Sequence, residues 1–265
     1  MSYTAFPKDF DIDGNYVKDT AEFTCRLEEE QTALLITRVH KAFGTEINDI
    51  LITALALAVR ERFRLDRWLI AVEGHGREEI IKEVNIKRTI GWFTCVYPVI
   101  LDISHDNDLS RQIIHIKETL HQIPHKGIGY GILRYLTDDV HKKDINFSLR
   151  PQVCFNYLGQ FDADVNKMNA FRIADESTGH NQCLQAQRDY LLDVLASIEK
   201  GQLVMTIIYN TRHFRRRSIT GLLKGFKEKL LEVIFHCLQQ KERELTPSDL
   251  TYKGLTMEDL DTLFD

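Results

Sequence analysis

Two stretches decide the reading of this chain: Val72-Glu73-Gly74-His75-Gly76-Arg77-Glu78, and Arg88-Thr-Ile-Gly-Trp-Phe-Thr-Cys-Val-Tyr-Pro98. The apolar run from Trp68 to Val72 is short and bounded by glycine, which predicts a buried strand leading into the first stretch. Glycines then flank His75, with Glu73 and Glu78 on either side. Glycine is favoured where backbone turns sharply or a ligand passes close to it. A carboxylate held at such a spot can transfer protons when its surroundings tune its pKa. By pattern alone, Glu73 reads more readily as a solvated carboxylate at a strand end than as a functional group. Residues 94–101 predict a second strand, and Pro98 within it argues for a sheet edge or a bulge.

Working outward, the apolar periodicity supplies the other elements. Thr45 is placed to cap a helix whose Ile47, Ile50, Leu51, Ala54, Leu55 and Ala58 share one face. A helix over 109–120 aligns Ile113, Ile116 and Leu120. Gly127-Ile-Gly-Tyr-Gly131 opens a helix or turn that runs through Leu133 and Leu136. A strand over 151–157 is ended by Gly159, and the polar stretch 162–182 reads as a long excursion. Residues 191–198 and 202–209 predict a β-hairpin, with Lys200-Gly201 as its turn. The clearest amphipathic helix is 218–240, carrying Leu222, Leu223, Phe226, Leu230, Val233, Ile234 and Cys237. A last short helix begins near Thr256, which caps it, with Glu258 and Asp259 in its first turn. Residues 1–20, with a turn at 11–14, read as a leading strap or linker, and 21–265 as one folded unit. Helices and strands interleave, but the hairpin excludes an all-parallel sheet. The expected class is α/β, a mixed-sheet α/β sandwich.

Composition narrows the functions. The 265 residues are 43% hydrophobic and 28% charged, as in a soluble globular protein. A net charge of −5 implies neither nucleic-acid binding nor a polybasic membrane surface. No secretory signal and no membrane-spanning run is read, and five widely spaced cysteines fit reduced thiols in a cytoplasm.

Five blocks together resemble the successive motifs of epimerization domains of nonribosomal peptide synthetases. They are Glu73-Gly-His-Gly-Arg-Glu78; Arg88-Thr-Ile-Gly-Trp-Phe-Thr94 with Tyr97-Pro98; Pro124-His-Lys-Gly-Ile-Gly-Tyr-Gly131; Phe155-Asn-Tyr-Leu-Gly159; and Thr246-Pro-Ser-Asp249. Their order and wording are closer to epimerization domains than to peptide-bond-forming condensation domains. The resemblance implies one lobe of a chloramphenicol acetyltransferase-like fold, in which two lobes form a V around a tunnel. A phosphopantetheine arm on a peptidyl carrier protein brings an aminoacyl or peptidyl thioester there, and no cofactor belongs to the chain itself. The Cα proton is removed and returned from the other face.

Carried over by position, the resemblance implies that Glu73 is the catalytic acid/base and that Tyr157 positions the substrate or donates a proton. Trp92, Phe93 and Asn156 would line the tunnel. Arg212 and Arg215 belong to the one dense basic cluster, which is either a solvated surface or a contact for the phosphopantetheine phosphate or an acidic carrier. Family members also carry His-His-x-x-x-Asp-Gly in an N-terminal lobe, and no His-His pair occurs here. The expectation is therefore a C-terminal lobe that is inactive without its partner lobe. The alternatives are a non-catalytic docking lobe for a carrier or synthetase subunit, or a fragment of a condensation-type acyltransferase. His75 reads as a hydrogen-bonding residue. Gly127, Gly129 and Gly131 read as sites of tight backbone packing, because their spacing is not that of a phosphate loop. His115, His121 and His125 lack an acidic or thiol companion in sequence and do not make a zinc site.

Overall fold

The computed structural model describes residues 3–86, 88–104, 107–143, 145–160, 176, 179, 181–250, 255 and 257–264. Strand β1 is Thr20–Arg26, followed by helices α1 (Glu29–Thr37), α2 (His40–Phe43) and α3 (Ile47–Phe63). Strands β2 (Arg67–Gly74) and β3 (Cys95–Asp102) come next, then α4 (Leu109–His121) and the short α5 (Ile128–Gly131), which runs into a π-helical turn at Ile132–Leu136. Strands β4 (Val153–Gln160), β5 (Leu192–Glu199) and β6 (Gln202–Asn210) precede the long α6 (Arg216–Gln239) and α7 (Met257–Phe264).

The six strands form one sheet in the order β1-β6-β5-β4-β2-β3. β4 is parallel to both β2 and β5, whereas the other pairs are antiparallel, so the sheet is mixed. The hairpin expected at 191–209 is β5–β6. Lys200 and Gly201 adopt φ of 50° and 77°, the left-handed pair that a tight hairpin turn needs. Pro98 sits on β3, a sheet edge, where its missing N–H costs no ladder bond.

Strand alternation sorts the residues onto two faces. Val72, Phe155, Val194 and Ile207 are all at most 2% exposed and join the core with residues of α3, α4 and α6. Burying each such side chain contributes about 1.5–3 kcal/mol. Helix α3 is apolar nearly all round because it is the central core helix, with Ile50 through Val59 buried. Its cap is Glu46, not Thr45: the Glu46 side chain and Asp49 form a reciprocal capping box. Thr45 lies one residue too early and is itself buried.

Three further expectations change. Gly159 does not end β4; it takes φ of 84° inside a register shift between Tyr157 and Gln160, a bulge that lets the strand continue. Of the three glycines, only Gly127 is tightly packed. A Cβ there would lie 2.0 Å from the Tyr97 ring, whereas Gly129 and Gly131 have open space. β1 and α1 were not anticipated. The excursion over 162–182 falls largely outside the described residues, as does Thr256.

A buried ammonium fastens the Thr246-Pro-Ser-Asp249 block. Lys117 is 0% exposed, and its Nζ donates to the Phe43 carbonyl and Thr246 Oγ1 at 2.7 Å and meets Asp249 Oδ2 at 2.9 Å. Glu118 accepts from Thr246 Oγ1 and Ser248 Oγ, both at 2.6 Å. Breaking a buried ion pair from one side strands the other charge. Lys117→Met is therefore expected to lower unfolding free energy by about 3–5 kcal/mol in urea denaturation. An unchanged midpoint would show that water replaces the ammonium without loss.

Candidate active site

Glu73 leaves the carboxyl end of β2 on the face opposite the helices. Its register partners continue one row across the sheet: Val96, then Asn156, Leu195, Thr206 and Thr24. These side chains are half-buried or exposed, in contrast to the sealed core face. Asn156 is the register neighbour of Glu73 on β4, with its amide placed to hydrogen-bond the carboxylate. Burial pushes the Glu73 carboxyl above the usual range, the nearby Asp193 charge adds to this, and the Asn156 bond opposes it. The two residues border a groove of about 580 Å³, together with Cys154, Asp193, Arg188 and Glu22.

The motif's remaining residues shape the loop that follows. Gly76 has φ of 63°, a conformation open to glycine. The Arg77 guanidinium stacks 4.3 Å over the Phe93 ring and donates to the carbonyls of Ile86 (2.7 Å), Thr89 (2.9 Å) and Gly91 (3.2 Å). One side chain thus ties the two opening stretches of sequence into a single loop. His75 plays a hydrogen-bonding part: Nδ1 accepts from the Arg77 amide at 2.9 Å, and Nε2 lies 3.2 Å from Glu78.

The sequence-derived residues do not all converge. Glu73 and Asn156 meet. Trp92 and Phe93 line a second, more apolar groove of about 790 Å³ with Tyr130, Ile132, Tyr135 and Leu136. That groove adjoins the first through Ala71, two residues before Glu73 on the same strand face. Trp92 is 88% exposed. Tyr157 lies on the other face of the sheet, packed against the core, and burial raises its hydroxyl pKa. Arg212 pairs with Asp19 at 3.9 Å, and Arg215 lies over the Phe10 ring at 5.0 Å. Neither is among the described residues bordering the Glu73 groove. His121 is engaged by Asp49 at 3.0 Å, a bond that raises its pKa.

Two groove residues escaped the sequence reading, Asp193 and Arg188. Asp193 carries a signal, since it is an acidic residue inside the otherwise apolar run Leu192–Ala196. Arg188 carries none, because its place follows from tertiary packing.

The described residues form a two-layer α/β unit with a carboxylate of raised pKa on the sheet face opposite the helices. Compared with known families, the chain matches the Condensation domain over residues 1–256, and it belongs to that family. It is 43% identical to surfactin synthase subunit 1 of Bacillus subtilis (strain 168), over 98% of this chain and 7% of that protein. It is 42% identical to gramicidin S synthase 1 of Brevibacillus brevis, over 97% of this chain and 24% of that protein. The crystal structure of the epimerization domain from the third module of tyrocidine synthetase B superposes with a TM-score of 0.86 at 41% identity. That superposition covers 91% of this chain and 54% of the solved one. The chain thus spans a quarter or less of these curated relatives and about half of the solved epimerization domain.

Proposed function

We propose that this chain is the C-terminal lobe of an epimerization domain, converting L- to D-aminoacyl or peptidyl thioesters on a phosphopantetheine carrier protein. The observation that carries the reading is Glu73. It is a carboxylate on the sheet face opposite the helices, beside Asn156, with its proton affinity raised by burial. A thioester acidifies its α-hydrogen, so a carboxylate of raised pKa can take the proton from one face. The resulting enolate is stabilised by hydrogen-bond donors and reprotonated at Cα from the other face. Asn156, beside Glu73, orients the carboxylate. Trp92 and Phe93 form the apolar wall along which the substrate lies. Tyr157 acts from behind the sheet, as support for β4 or, after rearrangement, as a proton donor.

The second proton-transfer group comes from the His-His-x-x-x-Asp-Gly lobe. Residues 21–265 form the lobe proper, and residues 1–20 strap it. Arg212 and Arg215 receive the acidic carrier or its phosphate. The setting is cytoplasmic, with no cofactor of the chain's own, no nucleic acid and no membrane. The test is Cα deuterium wash-in on an aminoacyl-phosphopantetheine carrier protein, with this chain alone and with an added N-terminal lobe. Exchange with both lobes is expected. Carrier binding without exchange in either case would replace this reading with that of a docking lobe.

A further inference from the structure

Below Glu73, the groove holds a second carboxylate and a buried guanidinium that the proposed reaction leaves unused. Asp193 projects from β5 onto the Glu73 face, one row further down the sheet, in register with Cys154 and Ile208. The Arg188 side chain is 8% exposed, and its Nη2 donates to Asp193 Oδ2 and to the Ile208 carbonyl at 3.3 Å. The Arg188 backbone is also fixed, since its amide donates to the Asn15 carbonyl at 2.7 Å and its carbonyl accepts from Asn15 Nδ2 at 3.2 Å.

Packing alone does not account for this pair. Among the described residues, Arg188 Nη1 is buried with no hydrogen-bond partner. An unmatched buried donor is costly, and a buried ion pair is often replaceable by apolar side chains without loss of stability. What the pair does achieve is placement. It fixes a carboxylate and its counter-cation in the groove that Glu73 and Asn156 border, with the carboxylate on the Glu73 face.

We infer that Asp193, pinned by Arg188, is a positioning residue for Glu73, fixing a carboxylate in the groove floor so that Glu73 takes the Cα proton in one direction of the reaction and gives it up in the reverse direction. The inference rests on Glu73 being the acid/base group. A two-way proton carrier works best when its affinity lies near the working pH, and a neighbouring carboxylate moves it that way. The Asp193 charge is among the causes that raise Glu73, after burial. Other titratable groups facing this space are Glu22 of β1, Cys154 of β4 and Arg188, while Asp189 and Tyr190 of the segment before β5 stand close enough to Asp193 to interact with its charge.

The test titrates the Glu73 carboxyl by carbon-13 NMR in the full chain. Asp193→Asn is compared with the Arg188→Gln/Asp193→Asn double variant, which removes opposite charges together and should move the midpoint less, and with Asp193→Leu if the Asn variant folds poorly. The Glu73 midpoint is expected to fall in Asp193→Asn, because the carboxylate that adds to the effect of burial is gone. Asp193→Glu should restore it. In deuterium wash-in with the partner lobe added, the acid limb of the pH profile should fall by the same amount. An unmoved midpoint overturns the inference, as does an equal shift from Glu22→Gln or a rate loss identical at every pH. If the wild-type lobes exchange nothing at any pH, the epimerase reading fails, while a falling Glu73 midpoint still supports the coupling.

Discussion

Glu73→Gln is expected to reduce Cα proton exchange by about 100- to 10,000-fold, the range that a positioned general acid/base supplies. Glutamine keeps the volume and can still meet Asn156, but its amide cannot take the proton. Binding of the aminoacyl carrier should persist within about threefold, because the loss falls on the transition state rather than on the ground state. Wild-type exchange should also weaken on acidification earlier than an ordinary glutamate near 4.3 would dictate. Glu73 is held protonated more readily than usual, chiefly by burial, so its basic form is depleted as pH falls through that raised value. A Gln variant retaining a tenth or more of the exchange would remove Glu73 from the chemistry.

The second large effect is structural and reaches the same site. In Gly76→Ala, the new Cβ would fall 1.7 Å from the Phe93 carbonyl oxygen and 2.7 Å from its carbon. Those are backbone atoms and cannot rotate aside, and φ at this residue is 63°. Strain and overpacking together should cost about 2–4 kcal/mol. The loop would give way first: Arg77 would lose its three carbonyl acceptors and the Phe93 ring together. Limited trypsin digestion should then cut at Lys82 and Arg88, sites that the wild type protects better. A variant with unchanged urea midpoint and unchanged digestion would show that the loop is not built on Gly76.

Much of this architecture is legible in the amino-acid sequence. The α3 core helix, the β5–β6 hairpin and α6 announced themselves because their apolar periods are long and their turns carry the right residues. β1 was missed although Ala21, Phe23 and Cys25 alternate, because the run is short and broken by charge. α1 was missed because its few buried positions, Thr32 and Leu35, make a weak stripe. At the site, motif wording found Glu73 and Asn156, which parallel pairing of β2 and β4 then brings side by side. It could not find that Tyr157, the next residue after Asn156, must face the other way. That follows from strand alternation, and it separates two residues that adjacent motif letters suggest belong together. Nor could it find Arg188, whose partner and location exist only after β4, β5 and β6 have assembled.

The Lys117 lock bears on where this unit can be cut and spliced. Residues 242–249 look, in sequence, like the polar spacer at which one would join modules from different assembly lines. Yet Thr246 and Asp249 are ligands of a fully buried ammonium on α4. A chimera whose junction falls before Asp249 inherits a naked charge in its interior unless the incoming segment also supplies a hydroxyl and a carboxylate three residues apart. Junctions beyond Asp249 leave that closure intact, so a shift of only a few residues in the splice point decides whether a recombined synthetase yields folded protein.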